Sequence, residues 1–335
     1  MPPHPAHGGD HERGRKAMRR LGRRLASSAW GHYRLECRPM SAPLPPRIRA
    51  TRLLLSLIPR LIAALPQRAR LALGRGLGWL MASALKKRRR IMRANLAVAF
   101  PDWTAGARDV LIDEHFARLG AGICEGFWGW FGNLDRVPDY RVIGLEHLEA
   151  ARAAGQGVIL NAAHVTDMEL GVYFVSRHAP VHAVYRPNNN RAIDSLINLG
   201  REKHLAGLIH REDTRAMVRA LRAGEVLWTA PDQNYHGKTS AFIPFFGLPA
   251  ATNTAVPILA RMGRAVILPY HVRRFGNRYE LAIEPPISGL PSGDDVADTQ
   301  RLVERLEAEI RRHPAMYLWG HRRFKTLPEG YPPLY

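Results

Sequence analysis

Cysteine is nearly absent from this chain of 335 residues, which contains only Cys37 and Cys124. Two cysteines are too few for a disulfide framework, and neither lies in a Cys/His cluster that would predict a zinc site. A GxSxG elbow, a P-loop and a GxGxxG placed between strand and helix are also missing. The sequence therefore gives no support to hydrolase, NTPase or dinucleotide-binding functions.

Acidic residues are scarce in one part of the chain only. Residues 1–100 contain 22 Lys and Arg but 3 Asp and Glu, whereas the rest contains 27 and 26. The net charge of +20 is therefore N-terminal, and the globular part is nearly neutral. Such a basic segment predicts an anionic partner, either nucleic acid or an anionic membrane surface.

No apolar run reaches the roughly 20 residues of a membrane-spanning helix. Leu53–Leu65 is interrupted by Ser56, Pro59 and Arg60, and a second run, 71–85, by Gly, Ser and Arg75. We interpret residues 46–90 as a membrane-associated helical segment, either a poor single span or an in-plane helix pair. The alternative is a buried helical hairpin. Nucleic acid is disfavoured because the arginines alternate with Leu and Ile, with few aromatics to stack on bases.

Residues 1–45 are rich in Pro, Gly, His and Arg without apolar periodicity, which predicts a basic, disordered extension. One hypothesis makes Met40 the true start of the chain. No signal peptide is expected, because no short apolar core with a cleavage site follows the basic stretch.

From residue 140 onward, apolar strands alternate with amphipathic helices. This alternation predicts an α/β domain over residues 91–335, with a mostly parallel central sheet flanked by helices. Strands are expected at 140–144, 157–161, 181–186, 225–230, 265–273 and 279–284, and helices at 104–120, 145–154, 166–178, 189–204, 212–223, 252–263 and 295–312. Sites in such sheets form beyond the carboxyl ends of the strands, where His164, Arg186 and Asp232 all fall.

His164 is the central candidate, since it lies between a predicted strand and a predicted helix. Thr166-Asp-Met-Glu169 has the form of a capping box that would begin that helix. Five residues on one helix correspond to about 140° of rotation, so Glu169 reaches the imidazole only if His164 lies outside the helix. A base oriented by a carboxylate activates a hydroxyl for acyl transfer. Glu169 has a competing role in the cap, and Asp167 is a rival partner.

Other candidates follow later strands, each with an ordinary structural alternative. Arg186 is suited to bind a phosphate or carboxylate in bidentate fashion, unless it forms a surface ion pair. Asp232 and Gln233 are suited to hydrogen-bond a sugar or amide, unless they cap a loop. Aromatic residues 126–131 predict core packing, an interfacial belt or the wall of an acyl-chain slot. The substrate-binding candidates are Arg186, Asn189, Asp232, Gln233, Arg322 and Arg323.

An ordered set of motifs resembles the late acyltransferases of lipid A biosynthesis, over roughly residues 45–335. His164-x4-Glu169 resembles the His-x4-Asp/Glu box of glycerolipid acyltransferases, the wider superfamily. PDQ stands where the glycerol-phosphate enzymes have their Phe-Pro-Glu-Gly box, which argues against glycerol-3-phosphate as acceptor. The motifs are RIMRANLAVAFP at 90–101, YRPNN at 185–189, APDQ at 230–233, PFFG at 244–247 with Thr252-Asn253, and YLWGHRRFKT at 317–326.

The resemblance implies an inner-membrane enzyme whose catalytic domain faces the cytoplasm. It implies transfer of an acyl chain from acyl carrier protein to a hydroxyl of a lipid A precursor, without metal or cofactor. His164 would be the general base, Glu169 its partner, and Arg186 and Asp232 would shape the substrate site. The alternatives are an acyltransferase for a lysophospholipid or aminolipid, and a non-catalytic basic membrane adaptor.

Overall fold

The computed structural model describes residues 45–133 and 137–335. The predictions made for residues 1–44, including a start at Met40, lie outside the described residues. The helices are α1 (Pro46–Ala64), α2 (Gln67–Ala84), α3 (Lys86–Ala99), α4 (Ala105–Phe131), α5 (Leu145–Ala153), α6 (Met168–Ser176), α7 (Arg191–Arg201), α8 (Thr214–Arg222), α9 (Ala255–Gly263) and α10 (Asp295–Arg312), followed by a 3₁₀ turn (Pro314–Met316).

Within the described residues, nine strands form one large sheet and one hairpin. The strands are β1 (Tyr140–Ile143), β2 (Gly157–Asn161), β3 (Val181–Tyr185), β4 (Gly207–His210), β5 (Val226–Thr229), β6 (Ser240–Phe245), β7 (Leu248–Asn253), β8 (Ala265–Phe275) and β9 (Arg278–Ile283). The large sheet has the order β1-β9-β8-β2-β5-β3-β4, and only β8 and β9 pair antiparallel within it. The predicted α/β fold with a mostly parallel sheet is confirmed.

Strands β2, β5 and β3 are parallel neighbours, so their carboxyl ends lie at one edge of the sheet. β2 is the central strand and its first four residues are buried, which explains its uninterrupted apolar sequence. The residues that follow these three strands are therefore brought to one side of the domain, as the alternation of strands and helices predicts.

The β6–β7 hairpin was not predicted. Its two turn residues, Phe246 and Gly247, have φ of 49° and 80°, the positive values that a tight two-residue hairpin turn requires. Glycine adopts such a conformation readily, whereas a bulky residue rarely does. Phe246 at the first turn position therefore gives no sequence signal for a hairpin turn. The backbone N–H of Phe246 donates to Glu307 of α10 at 2.7 Å, which ties the turn to that helix.

Helix α4 is much longer than predicted and carries the aromatic segment 126–131. It begins at a cap in which the hydroxyl of Thr104 accepts from the N–H of Ala107. Trp128, near its end, is 3% exposed and packs edge-on against Tyr173 of α6, with ring centroids 5.5 Å apart. The core-packing interpretation is therefore correct for Trp128.

Glycines allow α2 to lie very close to α4. A Cβ at Gly78 would be 2.1 Å from the carbonyl oxygen of Phe116, and a Cβ at Gly120 would be 2.1 Å from that of Gly74. Such separations are far below van der Waals contact, so only glycine fits at this crossing. Within residues 45–133 and 137–335, none of the helices combines the length and apolar character needed to cross a bilayer.

Candidate active site

The site is built around the turn that leaves the central strand β2. The N–H of Ala162 still donates to Thr229 of β5, which holds the start of the turn against the sheet. The C-terminal segment holds the other side, because Leu318 donates to the carbonyl of His164 and Thr166 donates to that of Met316. His164 is thus fixed by backbone contacts on both sides.

The predicted capping box is wrong, although His164 does lie outside the helix as expected. Helix α6 begins at Met168 and Asp167 occupies the N-cap position, without a capping hydrogen bond from its side chain. The hydroxyl of Thr166 instead donates to Asp167 at 2.7 Å. Asp167 is also paired with the buried Arg274 at 2.7 Å, so this carboxylate anchors the turn to β8.

Asp232, which follows β5, lies directly against the imidazole. Its Oδ1 is 2.7 Å from Nδ1 of His164 and also accepts the backbone N–H of His164 at 3.1 Å. The Asp232 side chain is 3% exposed and that of His164 is 25% exposed. A buried carboxylate thus orients an imidazole that remains accessible from outside.

The contact fixes the tautomer of the neutral imidazole. Burial raises the pKa of Asp232, but the His164 charge and hydrogen bonds outweigh burial and leave that pKa below its ordinary value. The ionised carboxylate only accepts hydrogen bonds, so Nδ1 of His164 carries the proton and Nε2 has the free lone pair. For His164, burial lowers the pKa, yet the charge and hydrogen bond of Asp232 raise it to a net value above normal.

Glu169 has different partners from those the sequence suggested. Its carboxylate accepts from Nε1 of Trp130 at 3.0 Å and from Nε of Arg201 at 3.1 Å, and a second Arg201 nitrogen makes the pair bidentate. Burial raises the pKa of Glu169, but Arg201 more than compensates and the pKa lies below normal. Its part in the reaction stays a prediction.

The loop after β3 places Arg186 and Asn189 at the protein surface. Both residues are exposed. The next residue, Asn190, begins α7, because its side-chain oxygen accepts from Ala192 and Ile193. Gln233 is half-buried beside Asp232. Substrate binding by these residues stays a prediction.

The two adjacent C-terminal arginines have unlike surroundings. Arg323 is 3% exposed, and its guanidinium donates to the carbonyl of Ala251 and the hydroxyl of Thr252. Burial lowers its pKa despite the nearby Tyr317 and Asp232. Arg322 is half-exposed and lies over the Tyr335 ring. Of the two, Arg322 is the more exposed, and phosphate binding by either residue stays a prediction.

An apolar cleft adjoins the turn that carries His164. It lies between α10, the 3₁₀ turn and strand β8, and it begins at Ala163, the residue before His164. The aromatic residues 126–131 do not line it. The side chains that do are mainly aliphatic or aromatic, namely Ala162, Ala163, Val165, Met168, Trp228, Tyr270, Val272, Leu306, Ile310, Met316 and Tyr317, with His271, Glu309 and His313.

Sequence reasoning missed Arg201 and Trp130, the partners of Glu169. Arg201 is the last residue of α7, where a basic side chain ordinarily complements the helix dipole. Trp130 lies in an aromatic run typical of a core. Neither has a spacing to Glu169 that marks the contact, so no local signal identifies them.

Residues 45–326 match the family described as bacterial lipid A biosynthesis acyltransferase. The chain belongs to this family. It is 36% identical to the lipid A biosynthesis lauroyltransferase of Escherichia coli (strain K12), over 82% of this chain and 91% of the relative. It is also 36% identical to the palmitoleoyltransferase of that strain, covering 78% and 87%, and 25% identical to the myristoyltransferase, covering 73% and 77%.

Membership of the lipid A acyltransferase family makes the chain an acyltransferase. The resemblance drawn from the motifs is thereby confirmed. In this acyltransferase, the turn after β2 carries an imidazole that a buried carboxylate orients, and Ala163, the residue before that imidazole, lines an apolar cleft.

Proposed function

We propose that this acyltransferase moves a fatty acyl chain from acyl carrier protein to a hydroxyl of a lipid A precursor. The observation that carries the proposal is the hydrogen bond between His164 and Asp232, which leaves Nε2 as a base. The names of the relatives, all lipid A acyltransferases, support lipid A as the acceptor. The carrier protein as donor rests on the motif resemblance.

In the proposed reaction, Nε2 of His164 takes the proton from the acceptor hydroxyl as its oxygen attacks the thioester carbonyl. The carbon–oxygen ester bond forms and the carbon–sulfur bond breaks, and the departing thiolate receives the proton back from the imidazolium. Asp232 stabilises the imidazolium and keeps the ring in position. General-base assistance of this kind contributes about 10²–10⁴-fold to the rate.

Glu169 acts in this proposal as a positioning residue. Its carboxylate joins α6 to α7 through Arg201 and to α4 through Trp130. Its charge also favours the imidazolium form of His164, although less strongly than that of Asp232. The proposed catalytic dyad therefore consists of His164 and Asp232, and Glu169 fixes the positions of α4, α6 and α7 around it.

We further propose that α1 and α2 lie in the plane of an anionic membrane surface. An ordinary surface helix turns its large apolar residues toward the core. In helix α1 the buried residues are Ser56, Pro59 and Ala63, while leucines face outward. Exposed apolar faces of this size mark an interaction surface. The outward residues, here called the apolar face, are Leu53, Leu54, Leu55, Leu57, Ile58, Leu61, Leu65, Leu73, Trp79 and Leu80.

Charge supports a membrane as the occupant of the apolar face. Basic residues accompany both helices and continue through the basic run 86–90, and residues 51–100 contain no Asp or Glu. Apolar insertion combined with attraction to anionic lipid is the arrangement of interfacial helices. A lipid acceptor is itself embedded in a membrane, and the cytoplasmic side of the inner membrane is the location we propose.

The test measures acyl transfer by the purified protein from acyl carrier protein to a lipid A precursor, with products identified by mass spectrometry. We expect His164→Ala to lose at least 10²-fold in turnover. His147→Ala, on α5, is the matched control and should retain wild-type activity. Near-normal turnover by His164→Ala would overturn the assignment.

The same assay separates the alternatives. Transfer to a lysophospholipid or aminolipid, but not to the lipid A precursor, would indicate a different acceptor.

A further inference from the structure

A second imidazole, that of His321, is held in a single tautomer close to the His164–Asp232 dyad. The backbone N–H of Asn234 lies 3.0 Å from Nε2 of His321. A backbone N–H only donates, so Nε2 must be the acceptor and the proton of the neutral ring must lie on Nδ1. Among the described residues, no hydrogen bond engages Nδ1.

His321 remains neutral over the pH range in which His164 acts as a base. Burial lowers the pKa of His321 to about 4, against an opposing contribution from Asp232. The nearby positive groups, His164, Arg323 and Arg88, lower it further. The pKa values of the two imidazoles are thus shifted in opposite directions, since that of His164 is raised.

Backbone contacts place His321 beside the dyad. The segment leading to it pairs with the catalytic turn, through the Val165–Tyr317 bridge and the bond from Leu318 to His164. Its partner Asn234 lies two residues after Asp232. The segment that carries His321 is therefore attached both to the His164 turn and to the residues after Asp232, although 157 residues separate His321 from His164 in the sequence.

We propose that His321 is a further catalytic residue, whose Nδ1–H donates a hydrogen bond to the oxygen that becomes negative when the acceptor attacks the thioester carbonyl. This inference rests on the proposed acyl transfer. His321 exchanges no proton: it donates a hydrogen bond to the developing oxyanion while Nε2 stays bonded to Asn234. A fixed neutral donor stabilises such charge without competing with His164 for a proton.

Two isosteric substitutions separate this role from a purely structural one. In His321→Gln the amide oxygen replaces Nε2 and still accepts from Asn234, but the donor at the Nδ1 position is lost. In His321→Asn the amide nitrogen replaces Nδ1 as a donor, and the acceptor for Asn234 is lost. We expect kcat to fall about 10²–10³-fold in His321→Gln and to stay within about tenfold of wild type in His321→Asn. The opposite order would overturn the proposal.

Two further measurements distinguish a direct role of His321 from an effect exerted through His164. The acid limb of the pH–kcat profile should keep its position in His321→Gln, because His321 does not titrate there. A shift of that limb would mean that His321 acts only through His164. Imidazole ¹⁵N NMR of the full chain should show a protonated Nδ1 and a bare Nε2 for His321 from pH 5.5 to 8.

The NMR readout does not depend on turnover. If His164→Ala kept full activity, the proposed function would fail while the His321 tautomer stood. If His164→Ala were inactive and His321 showed the Nε2–H tautomer or titrated near its ordinary pKa, the donor role alone would fail.

Discussion

Gly122 of α4 lies against the carbonyl oxygen of Thr166, and a Cβ at position 122 would be 1.9 Å from that oxygen. The helix thus contacts the backbone of the turn that carries His164, two residues after His164 itself. On its other side the same helix crosses α2 through Gly120. A single helix therefore packs against both α2 and the turn that carries His164.

Gly122→Ala is expected to displace the catalytic turn. The added methyl group overlaps a backbone atom that cannot rotate away, and overpacking of this kind costs about 1–3 kcal/mol in unfolding free energy. Acyl transfer should fall more than stability alone explains, because His164 moves relative to the substrate. Denaturant unfolding and turnover at a temperature where the variant is folded measure the two effects.

Gly106→Ala on the same helix is the control. The nearest atom to a Cβ there is the Thr104 hydroxyl, 3.9 Å away. Alanine in a helix is favoured over glycine by roughly 0.5–1 kcal/mol, so this variant should be at least as stable as wild type. Equal behaviour of the two variants would show that the close contact at Gly122 has no consequence.

The pH dependence of turnover should reflect the raised pKa of His164. The base is active only when Nε2 is unprotonated, so kcat should rise with pH through a value above the ordinary histidine pKa. Asp232→Asn leaves the ring buried without the carboxylate, so the acid limb should move to lower pH. Turnover should fall about 10²–10⁴-fold because the imidazolium is no longer stabilised.

Glu169→Gln is the comparison for this experiment. Glu169 contributes less than Asp232 to the His164 pKa, so its removal should shift the acid limb less. A larger shift in Glu169→Gln than in Asp232→Asn would make Glu169 the principal partner of the imidazole, as the sequence alone suggested.

The apolar face should determine membrane binding. Leu54, Ile58 and Leu61 of α1 are 69%, 66% and 71% exposed, and burying each leucine or isoleucine side chain contributes about 1.5–3 kcal/mol. Replacing all three with Glu should abolish co-sedimentation with phosphatidylglycerol-containing vesicles. Val296→Glu, an exposed apolar position on α10, should bind as wild type does.

Trp79 reports the depth of insertion. It is 74% exposed on α2, so brominated lipids should quench its fluorescence most strongly when the bromine is near the headgroup. Comparison with the Trp79→Phe variant gives the fraction of the quenched fluorescence that comes from Trp79. Quenching strongest at the bilayer centre would contradict the in-plane arrangement.

His115 should make the fold sensitive to acid. It is fully buried in α4, and burial lowers its pKa to about 4 even though Nδ1 donates to the Ala315 carbonyl. Because the folded pKa is below that of the unfolded chain, the stabilisation is present above the ordinary pKa and is lost as pH falls toward 4. The loss from this residue is at most about 3–4 kcal/mol of unfolding free energy.

Urea unfolding at several pH values measures this effect. His115→Asn removes the titrating ring while keeping a donor for Ala315, so its stability should fall less steeply between pH 6.5 and 4. An identical slope in the variant would mean that protonation of His115 does not contribute to acid unfolding.

Most of the central sheet was predictable because its strands are buried and apolar while the helices between them are amphipathic. The helix predicted at 295–312 coincides with α10. Strand β4 was missed because four residues after a helix leave little pattern to recognise. The β6–β7 hairpin was missed because Phe246 occupies a backbone conformation that sequence reasoning reserves for glycine.

The position of the site was also predictable, since parallel strands bring the residues after them to one edge. The identity of the contacts was not. Asp232 and Glu169 were both candidates, but 68 residues separate Asp232 from His164 and 32 separate Glu169 from Arg201. Such pairings depend on which strands are neighbours and which helix covers them.

The sequence by itself determined the α/β class, the family motifs, the N-terminal concentration of positive charge and the place of His164 outside a helix. These follow from local periodicity and composition, which act over a few turns of chain. Only the tertiary structure decided that Asp232 binds Nδ1 of His164 and that Arg201 binds Glu169. Those two contacts depend on strand order and helix packing, which bring together residues that are far apart in sequence.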